Sequence, residues 1–201
     1  IGGSSKKNQE IGMKWLDEHE EASIYLLRAV TKVVVEYLSL QVENGCHMIQ
    51  LFEAMGMFID EEHYMKYALP CLEIVSKELK SRFPDVPLMV FARGASFANE
   101  ALSKLDFDVI TLDGSMDRSS VRDIVGDKAV QGDIDPAELI VENGKTVESV
   151  QEVAKKLLQD FGTQKLIANL GEGLGGKEDT TLVKTLVDTI HAESGKIIRG
   201  D

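Results

Sequence analysis

Six side chains with acid–base or ion-binding capacity fall where short apolar runs give way to polar or glycine-rich loops: Glu53, Arg93, Asp113, Asp133, Asp135 and Glu172. In parallel α/β proteins functional groups gather at such strand ends. Five carboxylates and one guanidinium leave three readings open. Glu53, Asp113 and Asp133 could together hold Mg²⁺, which prefers oxygen ligands. The carboxylates could hydrogen-bond a polar substrate. Or they could cap helices and tighten turns, for which Asp113-Gly114 and Asp135-Pro136 have suitable chemistry.

Gly171-Glu172-Gly173-Leu174-Gly175-Gly176 contains the GxGxxG spacing between an expected strand and an expected helix, the setting of a dinucleotide site. Two features oppose that use. No later strand follows to supply the acidic residue for a ribose, and Glu172 would set negative charge beside a pyrophosphate. A ligand-facing loop made flexible by glycine is the favoured reading. His19, His63 and His191 lie in charged helical contexts and are expected to be solvated, while His47 stands at a strand start, away from the loops. No HxC, HExxH or CxxC arrangement exists, so no zinc site is expected. Met48, Met55, Met57, Met65 and Met89 read as core-filling or cleft-lining residues, and Ser4-Ser5 and Ser119-Ser120 as caps. Cys46 and Cys71 are too few and too far apart for a disulfide scaffold or a metal site, which suits a reducing compartment.

The elements that must position these residues alternate. Helical patterns are predicted over Glu10–Leu16 and Ala22–Val42, the second with Ile24, Leu27, Val30, Val34, Tyr37 and Leu38 at helical spacing and Gly45 at its close. The apolar run Cys46–Phe52 follows, then a short helix near Glu61–Tyr67 and a longer one from Pro70 to about Arg82, with Pro70 in its first turn. Further apolar runs at Pro87–Ala92, Asp108–Leu112, Ala129–Gln131 and Lys165–Leu170 are separated by helical patterns at Phe97–Leu105, Ser119–Val125 and Val147–Phe161. A last helix is expected over Thr180–Glu193. Thr146 is a sound N-cap for the helix that ends at Gly162. Five buried strands, each followed by a helix, mean a parallel sheet covered by helices. An open doubly wound sheet can stop at five strands, whereas a (β/α)8 barrel needs eight. The pattern alone does not choose.

Composition narrows the function classes. The 201 residues carry 22 basic and 34 acidic side chains, a net charge of −12, and no Lys/Arg run, so nucleic acid is not an expected partner. Hydrophobic content of 43% and charged content of 28% are those of a soluble globular chain. No stretch approaches the roughly 18 apolar residues of a membrane span. The start, Ile1-Gly2-Gly3-Ser4-Ser5, has no initiator Met and no signal-peptide pattern, and reads as an excerpt from a longer polypeptide.

Several segments together resemble the uroporphyrinogen decarboxylase family. They are Ile1–Ser5, Gln41–Glu53 (QVENGCHMIQLFE), Tyr67–Pro70 (YALP), Met89–Ala92 (MVFA), Gly132–Pro136 (GDIDP, where the family commonly has GNLDP) and Ile167–Gly173 (IANLGEG, family NLGHG). Their order and spacing match to the end of the chain. The resemblance implies a partial (β/α)8 TIM barrel, with residues 1–201 forming the C-terminal part of a single barrel domain. It implies a cofactor-independent enzyme of haem biosynthesis that removes CO₂ from the acetate arms of uroporphyrinogen to give coproporphyrinogen. The tetrapyrrole is then the substrate, a homodimer or other self-association is expected, and neither metal nor cofactor is required. The implied location is the cytoplasm, or a plastid in a photosynthetic organism.

The family's essential Arg and Asp belong to strands that this chain does not contain, so no catalytic residue can be named here. The resemblance carries substrate contact to Phe52, Ala54 and Glu172, with two departures. Where the family motif FES supplies a Ser, this chain has Ala54; where NLGHG supplies a His, it has Glu172. A carboxylate facing a substrate with eight carboxylates repels it by about 1 kcal/mol per pair at about 4 Å in water, and by several-fold more in a partly dehydrated cleft. Zinc-dependent methyltransferases of the same superfamily use His and Cys at strand ends. Ala92-Arg93-Gly94 and Asn169-Leu170-Gly171 offer no thiolate for that role. A non-catalytic or divergent member that binds another ligand or a partner is the alternative.

Overall fold

A computed structural model describes residues 8–53 and 55–201; Ile1–Ser5 and Ala54 lie outside the described residues. The chain divides into two compact units, residues 1–110 and 111–201.

The first unit begins with α1 (Gln9–Glu18) and α2 (Glu20–Glu43), followed by β1 (Ile49–Glu53). α3 (Glu61–His63) runs through a π turn, Tyr64–Ala68, into α4 (Leu69–Arg82). β2 (Leu88–Ala92), α5 (Asn99–Ser103) and β3 (Val109–Thr111) complete it, β3 lying across the division. β1 and β2 pair in parallel from Ile49↔Leu88 to Glu53↔Ala92. All five residues of β2 (LMVFA) are buried, as expected of a strand covered on both faces. Pro70 sits in the first turn of α4, where its missing N–H costs nothing. The Asp108 carboxylate takes the Leu88 N–H at 2.7 Å and the Lys80 ammonium at 2.7 Å, tying β2 to the approach to β3 and the end of α4.

The second unit holds α6 (Arg118–Val125), β4 (Ala129–Ile134), α7 (Val147–Phe161), β5 (Leu166–Leu170) and α8 (Thr180–Arg199). β4 and β5 pair in parallel from Val130↔Leu166 to Ile134↔Leu170. At the start of α7 the Thr146 hydroxyl accepts the Ser149 N–H while the Ser149 hydroxyl accepts the Thr146 N–H, two otherwise orphaned donors satisfied reciprocally. Val150, Ala154, Leu157, Leu158 and Phe161 give α7 its buried face, and α7 and α8 pack together.

The five strands form one sheet in the order β1-β2-β3-β4-β5. Doubly wound sheets reverse their strand order at a switch point. Chain order, with helix between successive strands, is instead the succession of a (β/α)8 barrel, and the fold is that α/β barrel arrangement in part. Among the described residues no helix is long and apolar enough to cross a membrane.

Several expectations are corrected. On α2 the buried residues are Ser23, Thr31, Val35, Leu38 and Ser39, whereas Val30 and Tyr37 are exposed. Of the six apolar residues at helical spacing, Leu38 is buried and Ile24, Leu27 and Val34 are half-buried, so the pattern departs from the buried face at Val30 and Tyr37. β4 continues three residues beyond Gln131, because Gly132 and Asp133 do not read as apolar and yet are buried. Phe97–Leu105 is a 3₁₀ turn, Ser96–Ala98, followed by the shorter α5, and α8 runs on to Arg199. Met48, Met55 and Met57 are exposed; Met89 is in the core. His63 is not solvated but half-buried between two carboxylates.

Candidate functional site

At the end of β1 in the first unit, Phe52 is 62% exposed and meets Phe91 of β2 edge-on at 6.3 Å between ring centroids. Alternation along the strand turns the next residue, Glu53, the other way. Its Oε1 accepts the Met55 N–H at 3.2 Å, while Oε2 is buried without a partner. Burial therefore pushes the Glu53 carboxyl above the ordinary glutamate value. The Tyr64 hydroxyl is likewise buried without a partner, and burial together with the Glu53 charge raises its ionisation far above that of a free phenol. The pair behind Phe52 is thus biased toward its neutral, protonated forms. The Arg93 N–H donates to the Glu53 carbonyl at 3.1 Å, which fixes the backbone of these two strand ends side by side.

In the second unit the ends of β3, β4 and β5 surround a cavity of about 380 Å³. Five carboxylates line it: Asp113, Asp133, Asp135, Glu172 and Glu178. Two glycines permit the close approach. Gly132 has φ +130°, and a Cβ there would lie 2.6 Å from the Leu112 carbonyl oxygen; a Cβ on Gly171 would lie 2.8 Å from the Asp113 carbonyl carbon.

Each carboxylate has a traceable environment. Asp113 accepts the Ser115 N–H at 3.0 Å and hydroxyl at 2.6 Å, closing the expected turn. Asp135 caps the 3₁₀ turn Pro136–Leu139 by accepting the Ala137 N–H at 2.8 Å. Asp133 is the deepest, its side chain 4% exposed, and is held by the Arg118 guanidinium through Nε at 2.9 and 3.1 Å and Nη2 at 2.8 Å. Arg118 Nη1 reaches Asp160 at 3.2 Å, and Lys156 reaches the other oxygen of Asp160 at 3.1 Å. Two cations thus neutralise two anions.

Glu172 is exposed on the cavity wall. The far end of the glycine loop is already engaged as a donor: Glu178 accepts the N–H groups of Gly175 at 2.9 Å, Gly176 at 2.8 Å and Lys177 at 3.1 Å, which sets a carboxylate where a phosphate would bind. Those bonds, led by that from Gly175, hold the Glu178 carboxyl below its ordinary value.

The structure brings Asp113, Asp133, Asp135 and Glu172 to one cavity, and sets Phe52, Glu53 and Arg93 at the strand ends of the other unit. Ala54 lies outside the described residues. The Mg²⁺ reading loses Asp133, whose oxygens are engaged by Arg118, and among the described residues no group of three or more His, Cys, Asp or Glu is placed to hold a metal. Sequence reasoning missed Arg118, Glu178 and Tyr64. The signal for Arg118 was Asp133 itself, since an acid at a buried strand position demands a cation. With Arg118 spent on Asp133, the cavity presents an acceptor-rich wall suited to ligand groups that donate hydrogen bonds.

Comparison with known proteins follows the same lines. A family model described as "Uroporphyrinogen decarboxylase (URO-D)" matches residues 1–193. The uroporphyrinogen decarboxylase of Salinibacter ruber is 37% identical over 195 residues, covering 96% of this chain and 54% of the relative. That of Homo sapiens is 35% identical over 199 residues, covering 96% of this chain and 53% of the relative. The chain therefore spans about half the length of the curated relatives it matches. Among solved structures, a B12-independent methionine synthase from Shewanella sp. W3-18-1, in complex with selenomethionine, superposes with a TM-score of 0.61 at 19% identity, covering 85% of this chain and 54% of that one. At that identity the likeness concerns the fold alone.

Proposed function

Because the chain belongs to the uroporphyrinogen decarboxylase family, we propose that it is the C-terminal part of an enzyme that decarboxylates the acetate side chains of uroporphyrinogen to give coproporphyrinogen. The observation that carries this reading is the family match over residues 1–193. Removing CO₂ from an acetate on a pyrrole requires protonation of the ring carbon and stabilisation of the resulting positive charge, which then accepts the electrons of the breaking C–C bond. In this reading no metal or cofactor takes part. Phe52 offers an apolar ring to the substrate, and Ala54 and Glu172 stand where family members contact it. The charge-stabilising Arg and Asp lie in family segments that these 201 residues do not match, so the chain by itself is inactive. The enzyme works in the cytoplasm and recognises no nucleic acid.

Self-association belongs to the same proposal. Leu26, Val30, Val33, Tyr37 and Leu40 form an exposed stripe on α2 at alternating four- and three-residue spacing. That spacing suits helix pairing, and its near symmetry about Val33 suits an antiparallel second copy.

A second reading is favoured by one observation: the carboxylate-lined cavity that includes Glu172 is unsuited to a polycarboxylate. In that reading the chain belongs to a divergent member with a different ligand. The deciding experiment uses this sequence extended to the length of its relatives and assays coproporphyrinogen formation. Activity in the extended protein supports the decarboxylase. No activity until Ala54→Ser and Glu172→His are introduced supports divergence.

A further inference from the structure

His63 closes the three-residue helix α3, its side chain only 15% exposed, and both ring nitrogens face carboxylates. Nδ1 lies 2.8 Å from Asp60 Oδ1, and Nε2 lies 3.0 Å from Asp17 Oδ1. Only an imidazolium donates from both nitrogens; a neutral ring must turn a lone pair toward one of its acceptors. The two contacts differ in reach. Asp60 is local, three residues away, and its position is fixed because the same oxygen caps α3 by accepting the His63 N–H at 2.9 Å. Asp17 is 46 residues away, on α1. The bond to Asp17 is therefore the one a neutral ring gives up.

Among the described residues α1 has no fully buried residue, Met13, Trp15 and Leu16 being half-buried, and a further tie to this region is the Tyr67 hydroxyl, which donates to the Leu16 carbonyl at 2.9 Å. The groups facing His63 are Asp60 from its own element, Asp17 with Glu10 and Lys14 from α1 around a shared surface cavity, and Tyr67 from the π turn, its ring stacked at 6.1 Å. Lys66 lies over the Tyr67 ring and pairs with Glu20.

We propose that His63 is a protonation-dependent latch: as a doubly donating imidazolium it fastens α1 to α3, and on losing its proton it releases α1. The hydrogen bonds to Asp60 and then Asp17 hold the ring's pKa above its usual value of 6.5. A group whose folded pKa is raised contributes its full stabilisation below the unfolded value and loses it as the pH rises through the folded one. The latch is thus closed below the ring's ordinary value and opens as the pH climbs through its raised value in the folded chain.

Trp15, the sole tryptophan, sits on α1 and reports the event, with the His19 ring 4.3 Å from its own. Because the His19 ring lies against the indole, the experiment uses an H19Q background. Tryptophan emission is followed from pH 5.5 to 9, and hydrogen exchange of the α1 amides is measured at pH 6 and 8.5 with correction for intrinsic rates. The expected result is an emission transition centred above pH 6.5, abolished by H63Q and moved to lower pH by D17N. Exchange across α1 should run at least about fivefold faster at the higher pH. Equal corrected exchange at both pH values, or a transition indifferent to both H63Q and D17N, overturns the latch. Asp17 is an exposed residue of a surface helix, so D17N decides the matter should H63Q fail to fold.

Discussion

At the scale of single residues, unpaired polar atoms are the most informative feature. The Tyr64 hydroxyl is buried beside the Glu53 carboxyl, and neither Tyr64 Oη nor Glu53 Oε2 has a partner. Removing a buried group that makes no hydrogen bond relieves desolvation without breaking an interaction. Tyr64→Phe should therefore leave the urea midpoint unchanged or raise it. Glu53 gives a prediction with a sign. Burial keeps its proton on longer in the folded chain than in the unfolded one, so stability falls as the pH rises from 4.5 through the raised value. Glu53→Gln, which cannot ionise, should be more stable than wild type at pH 7 and no different at pH 4 in parallel urea titrations. Arg118→Leu has the opposite character. It leaves Asp133, 4% exposed, with an uncompensated charge, and should cost about 3–5 kcal/mol in chemical denaturation. The acids themselves were legible in the sequence, because strand ends followed by glycine or proline announce themselves. Their partners were not. Arg118 lies fifteen residues before Asp133, and only the fold brings that helix start to that strand.

Among elements, strands and helices were readable wherever periodicity was unambiguous. β2, with five consecutive apolar residues, and α7, bounded by Thr146 and Gly162, emerged with their limits intact or within a residue. Elsewhere two signals competed. α2 has an apolar residue on nearly every turn of two faces, and its buried face includes Ser23, Thr31 and Ser39. The hydroxyls of Thr31 and Ser39 donate to carbonyls one turn back, at 2.8 Å each, which lets them be buried at little expense. A pattern that scores only apolar residues passes over such positions. The end of β4 was hidden for a related reason: Asp133 counts as polar until its guanidinium partner is known. At the glycine loop, Glu178→Ala should free the N–H groups of Gly175, Gly176 and Lys177. Their hydrogen exchange should accelerate, while that of α8, capped separately by Asp179, stays the same.

For the whole molecule, chain-order pairing of five strands and a family match over residues 1–193 point the same way. The 201-residue polypeptide is expected to form no coproporphyrinogen in a direct assay, and measurable product would refute the proposed division of catalytic groups. Sedimentation velocity should show it self-associated, with Val33→Glu shifting it toward monomer; a monodisperse wild-type monomer would remove the case for pairing through α2. Glu178 bears on any anion that approaches the glycine loop. A carboxylate tethered within three residues confronts those amides at an effective concentration in about the mM range. An acidic arm arriving from solution therefore enters by exchange with a resident competitor, and its apparent affinity is set by the difference between the two tenants.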